Sequence, residues 1–104
     1  MTASPSDFQP IAERLLKAHS KSSGEELALK VMVGTPYWAE EGLRAACPVS
    51  IEGLHGRIRD ISGIDPLDAL RNAIKVVDQL IAGVIEDHEL FWPDGEPFEL
   101  EKPA

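Results

Sequence analysis

The segment GIDPLDALRNAIKVVDQLIAGVIED, residues 63–87, limits the possible folds more than any other part of the chain. Asp65 offers a carboxylate to the free N–H groups of a helix start, and Pro66 suits the first helical position, where no N–H is needed. Asp68 adds negative charge to the first turn. Leu67, Leu70, Ala73, Ile74, Val77, Leu80, Ile81 and Val84 recur at spacings of three and four. Arg71, Asn72, Lys75, Asp78 and Gln79 fall mostly on the opposite side. The pattern predicts a helix over 66–87, about 33 Å long at 1.5 Å per residue. One helix with one apolar stripe needs a surface of similar length to cover.

Alternating runs upstream supply that surface. In EELALKVMVG, Leu27, Leu29, Val31 and Val33 alternate with Ala28, Lys30 and Met32, the period of a half-buried strand. Gly34, Thr35 and Pro36 end it. In LRAACPVSIEG, Ala45, Cys47, Val49 and Ile51 share one face, and Arg44, Ala46, Ser50 and Glu52 the other. Pro48 has no N–H to give to a ladder, so this strand lies at an edge or is bulged there. GRIRDI, 56–61, reads as a third short strand, and KSSG, 21–24, as a turn. After the helix, Leu90 and Trp92 face a possible return by Phe98 and Leu100, and WPDG has the residues of a type I turn. IAERLLKAHS, 11–20, stays open on its residues alone. Ser6 with Gln9 and several good helix formers favour a helix, whereas Pro10 and the short run oppose one.

The expected fold is α+β: an antiparallel sheet of three to four strands, the long helix of the C-terminal half across one face, then a hairpin-like tail. A chain of 104 residues is the size of one domain, here set at 10–101, with residues 1–9 and 102–104 expected as disordered tails. A single cysteine excludes an intramolecular disulfide, and no secretory leader or membrane-spanning run is visible, so a cytoplasmic protein is expected. Eighteen acidic against ten basic residues give a formal charge of −8. That charge repels phosphate backbones and anionic lipid, which disfavours nucleic acid and membrane as partners and suits a basic protein.

The order of these pieces resembles a family of small bacterial single-domain proteins of unknown function. The pieces are IAER at 11–14, VGTP at 33–36, CPVSIEGL at 47–54, GIDPLDALRNAI at 63–74 and LFWPDGEPF at 90–98. The resemblance implies that IAERLLKAHS is a strand, and it brings no known activity with it. The loop YWAEEG looks like an insertion relative to that pattern.

Four groups of residues have chemistry to weigh. Glu86, Asp87, His88 and Glu89 hold metal-ligating atoms, but neighbours on a helix point about 100° apart, and His19, His55 and His88 form no HxH or HxxxH pair. No metal or cofactor is expected. Cys47 with His55 would make a nucleophile and base, yet a cysteine among Ala45, Val49 and Ile51 reads as a small buried hydrophobe. EGLHGRIRD, 52–60, brings Glu52, His55 and Asp60 close in sequence, the makings of an acid–base pair in a loop. Tyr37, Trp38 and Trp92, flanked by acids, would form a protein-binding patch. The leading expectation is a non-enzymatic interaction or accessory module, immunity- or antitoxin-like against a basic partner, or a homodimer joined at a sheet edge. The alternative is a small acid–base enzyme using His55 with Glu52 or Asp60.

Overall fold

The computed structural model describes residues 9–54 and 56–99. The expected tails fall outside them except for Gln9, whose carbonyl accepts from the Thr35 N–H at 2.9 Å. In chain order the elements are β1 (Pro10–Ser20), β2 (Glu26–Gly34), β3 (Tyr37–Glu40), β4 (Arg44–Cys47), β5 (Val49–Glu52), β6 (Gly56–Arg57), β7 (Ile61–Gly63), α1 (Pro66–Asp87) and β8 (His88–Phe91). The α+β class holds, but the strands form two antiparallel sheets rather than one of three or four strands. One sheet has the order β6-β5-β2-β1-β8 and the other β3-β4-β7.

Pro48 explains the second sheet. The alternating run 44–52 is two strands, with β4 pairing β3 and β7, and β5 pairing β2 and β6. Lacking an N–H, Pro48 cannot continue a ladder, yet its carbonyl still accepts the Gly34 N–H at 2.8 Å. The chain therefore changes sheets at this residue, and both faces of 45–51 become buried, Ala46 and Ser50 included. The run 56–61 divides in the same way, β6 joining one sheet and β7 the other.

IAERLLKAHS is a strand. It forms an antiparallel hairpin with β2, in which Leu16 faces Leu29 and Ala18 faces Leu27. The turn between them is closed by the Gly24 N–H on the Ser20 carbonyl, with Gly24 at φ 75°, a conformation that costs glycine nothing. Local helix propensity in 11–20 is overridden because Leu16 and Ala18 pack into the core beside β2.

α1 matches the expected helix over 66–87, with Asp65 capping through its carboxylate on the Asp68 N–H at 2.7 Å and Pro66 in the first turn. Its buried seam differs from the expected stripe. Ala69, Ala73, Val77, Ile81 and Val84 face the core, while Leu67 is 66% and Ile74 49% exposed. The first turns press against β7 so closely that only small residues fit. A Cβ placed on Gly63 would fall on the backbone of Asp68 and Ala69, 2.7 Å from the Ala69 Cα. The core joins this seam to Leu16, Leu29, Val31, Val49 and Ile51 of the larger sheet and to Ala45 and Cys47 of the smaller.

After the helix, β8 pairs with β1, Ala18 opposite Leu90, a contact not expected from the sequence. The tail then folds back as expected: the Gly95 N–H donates to the Trp92 carbonyl, and the Phe98 N–H to the Leu90 carbonyl, both at 2.9 Å. Leu100 lies outside the described residues. Leu90 and Phe98 are buried, and the Trp92 ring meets Phe98 edge-on at 5.0 Å.

Candidate functional site

β1 is the longest strand, and its two sides are used unequally. Toward β2 it is paired along nearly its whole length. Toward β8 it is paired only over residues 17–20. Among the described residues, 10–16 have no strand partner on that second side. The mismatch arises because β8 begins at the end of α1 and stops at the Trp92 turn after four residues.

The free part of β1 is also apolar. Ile11 is 52% and Leu15 48% exposed, far from the usual state of such side chains in a sheet. Beside this strand, Ala12, Glu13, Arg14, Val31, Val33, Ile74, Val77 and Asp78 line a groove of about 230 Å³. At one end of the free edge the Arg14 guanidinium lies over the rings of Trp92 and Phe98, 5.6 and 5.3 Å from their centres. Unpaired backbone donors and acceptors beside an apolar groove form a template for an added strand.

Tyr37, Trp38 and Trp92 lie on different parts of the fold. Tyr37 and Trp38 belong to β3, an edge of the smaller sheet, and are half exposed. Trp92 belongs to the tail beside β1. Among the described residues its ring partners are Phe98 and Arg14, so no ring contact joins the three aromatics. The Tyr37 hydroxyl donates to Asp60 Oδ2 at 2.6 Å. That hydrogen bond holds the phenol proton and, with burial and the Asp60 charge, raises the Tyr37 pKa above its ordinary value.

Asp60 uses both oxygens inside the protein. Oδ2 accepts from Tyr37, and Oδ1 accepts from Arg57 at 3.0 Å. It thereby ties the β3 strand to the segment joining β6 and β7. Glu52 is exposed at the end of β5. His55 lies outside the described residues.

Cys47 is fully buried, and its thiol donates to the Gly34 carbonyl at 3.4 Å. Burial, and then the negative charge of Asp60, push its pKa up to about 11. A nucleophile needs the opposite shift, toward thiolate. Among the described residues no three His, Cys, Asp or Glu side chains gather as metal ligands would. His88 opens β8, where its N–H closes α1 on the Val84 carbonyl. Its Nδ1 is buried with no hydrogen-bond partner among the described residues. No described helix is long and apolar enough to cross a membrane.

Fold and surface together define a class: among the described residues, a two-sheet α+β domain built round one helix, with a long strand that β8 pairs only over residues 17–20. The resemblance seen in the sequence is to a family of unknown function, and a family model agrees. The chain belongs to the family described as a domain of unknown function, DUF6968, whose model matches residues 12–102. No curated protein and no solved structure matches the chain.

The edge and groove of β1 were missed in the sequence. Ile11, Arg14 and Leu15 look like ordinary members of a strand or helix. Their exposure depends on how far β8 reaches along β1, and no local pattern encodes that.

Proposed function

We propose that this domain is a non-enzymatic protein-docking module that takes an extended segment of a basic partner along the free side of β1. One observation carries the reading: among the described residues, 10–16 have no strand partner on one side, and Ile11 and Leu15 stand exposed. A strand added there gains main-chain hydrogen bonds, and its alternate side chains enter the groove between β1 and α1. The formal charge of −8 favours a basic partner over a second copy, because like-charged copies repel and opposite charges speed encounter. Covering a basic protein in this way is the work of an immunity protein or antitoxin.

Affinity capture from native cells tests the proposal. The full-length chain should retain a basic protein that the Ile11→Lys, Leu15→Lys double variant loses, and Trp92→Ala, beside the same edge, should weaken the complex. His55→Ala should leave it intact. Equal retention by the double variant would place docking elsewhere. A wild-type dimer that the same pair disrupts would make a second copy the occupant. Failure to capture any protein would count against the module itself.

A further inference from the structure

On the face of the larger sheet turned away from α1, Pro10, Lys30, Met32, Ser50, Glu52, Gly56 and Arg57 line an open depression of about 440 Å³. Strand register places most of them. Ser50 faces Met32 on one side and Arg57 on the other, and Lys30 faces Glu52 in the next row. Directly opposed residues of antiparallel strands share a face, so these side chains converge. The core faces of the same strands carry Val31, Val33, Val49 and Ile51.

The depression contains two cations, and each has an internal acid. Lys30 Nζ lies 3.5 Å from Glu13 Oε2. Arg57 donates to Asp60 at 3.0 Å. Glu52, although directly across from Lys30, has no basic partner among the described residues. Ser50 is only 6% exposed, and its hydroxyl has no hydrogen-bond partner among them. That hydroxyl is not sealed from solvent, since His88 Nδ1 is the buried side-chain atom left without a partner among the described residues; the hydroxyl opens onto the depression with its hydrogen-bonding capacity unused by the protein. What the described residues leave open to a ligand in the depression is an acceptor set: one carboxylate and one hydroxyl oxygen, beside the apolar surface of Met32 and Pro10.

We infer that this depression receives a lysine or arginine side chain of the partner protein. The cationic head sits between Glu52 and Ser50, which stand roughly 7 Å apart at two residues along a strand. The alkyl stem lies on Met32 and Pro10. The long-range field of a protein at −8 favours a cation here, since the rim cations are already neutralised. The identity of the cation's owner rests on the docking proposal; the chemistry of the site does not.

The test uses n-butylguanidinium as probe and n-butylurea, its neutral isostere, as control, followed through the backbone amides of the full-length chain by NMR. The expected result is a saturable shift centred on Met32, Ser50, Glu52 and Arg57 with the guanidinium and none with the urea. Glu52→Gln should weaken binding by about tenfold or more, since a hydrogen bond to a charged group is being lost. Ser50→Ala should weaken it less while keeping the dispersed spectrum of a folded chain. An absence of saturable shifts, shifts scattered over the acidic surface, or an equal response to the urea or in Glu52→Gln would overturn the inference. None of these results bears on docking along β1, which the Ile11 and Leu15 variants read separately.

Discussion

Lys30 and Glu52 stand directly opposite each other across the β2–β5 pair, yet the Lys30 ammonium lies 3.5 Å from Glu13 on the other neighbouring strand. Both members of the pair that forms are about half exposed, so its contribution to stability is small, within about 1 kcal/mol. Its larger effect is to leave Glu52 without a basic partner among the described residues. Glu13→Gln should release Lys30 toward Glu52. Urea denaturation should move little, while affinity for n-butylguanidinium should fall because Glu52 then has an internal cation. Unchanged affinity would mean that Lys30 does not compete for Glu52.

The close approach of α1 to β7 gives a sharper stability prediction. Gly63 has no room for a Cβ against the Asp68 and Ala69 backbone, so Gly63→Ala should force the helix start away from the smaller sheet. Overpacking of this kind costs about 1–3 kcal/mol. A thermal or urea melt reads it directly. An unchanged midpoint would show that the helix start yields freely.

Cys47 predicts a pH dependence. Its thiol holds its proton up to about 11 in the folded chain, against an ordinary value of 9.0. Between those values the unfolded chain binds fewer protons than the folded one, so stability falls as pH rises from about 9 to about 11. Below that window the contribution is fully present. Cys47→Ala should flatten the decline relative to the parent. The native thiol should also resist alkylation at neutral pH and react once the chain is unfolded.

The Tyr37–Asp60 hydrogen bond joins β3 to the β6–β7 segment at a half-exposed site. Tyr37→Phe should cost about 1 kcal/mol, the usual net value of such a bond. In the parent, ultraviolet titration should find the single tyrosine ionising above the ordinary value of 10.0, because Asp60 holds its proton. Ionisation at or below that value would mean the bond does not form in solution.

How far the sequence could be read depended on the range of each signal. The limits and cap of α1 were legible because Asp65, Pro66 and the apolar spacing act within one turn or two. The tail turn at 92–95 was legible for the same reason. The division into two sheets was not, although Pro48 marked the point, because a missing N–H says that a ladder stops and not where the next strand pairs. The buried seam of α1 was misjudged toward Leu67 and Ile74, since the closeness of β7, which favours Ala69 and Ala73, is a tertiary fact. Glu52 and Asp60 drew notice as chemistry-bearing residues in one short stretch. Their difference among the described residues, Glu52 without a basic partner and Asp60 holding Tyr37 and Arg57, depends on strands far apart in sequence.

Amide hydrogen exchange across residues 10–16 tests the docking proposal most directly. The full-length protein is measured alone and after addition to extract of its native cells. Amides on the unpaired side of β1 should exchange quickly in the free chain and slow markedly in the extract, while the Ile11→Lys, Leu15→Lys variant shows no such slowing. Unchanged exchange over 10–16 in the extract would contradict the account, whatever protection appeared elsewhere.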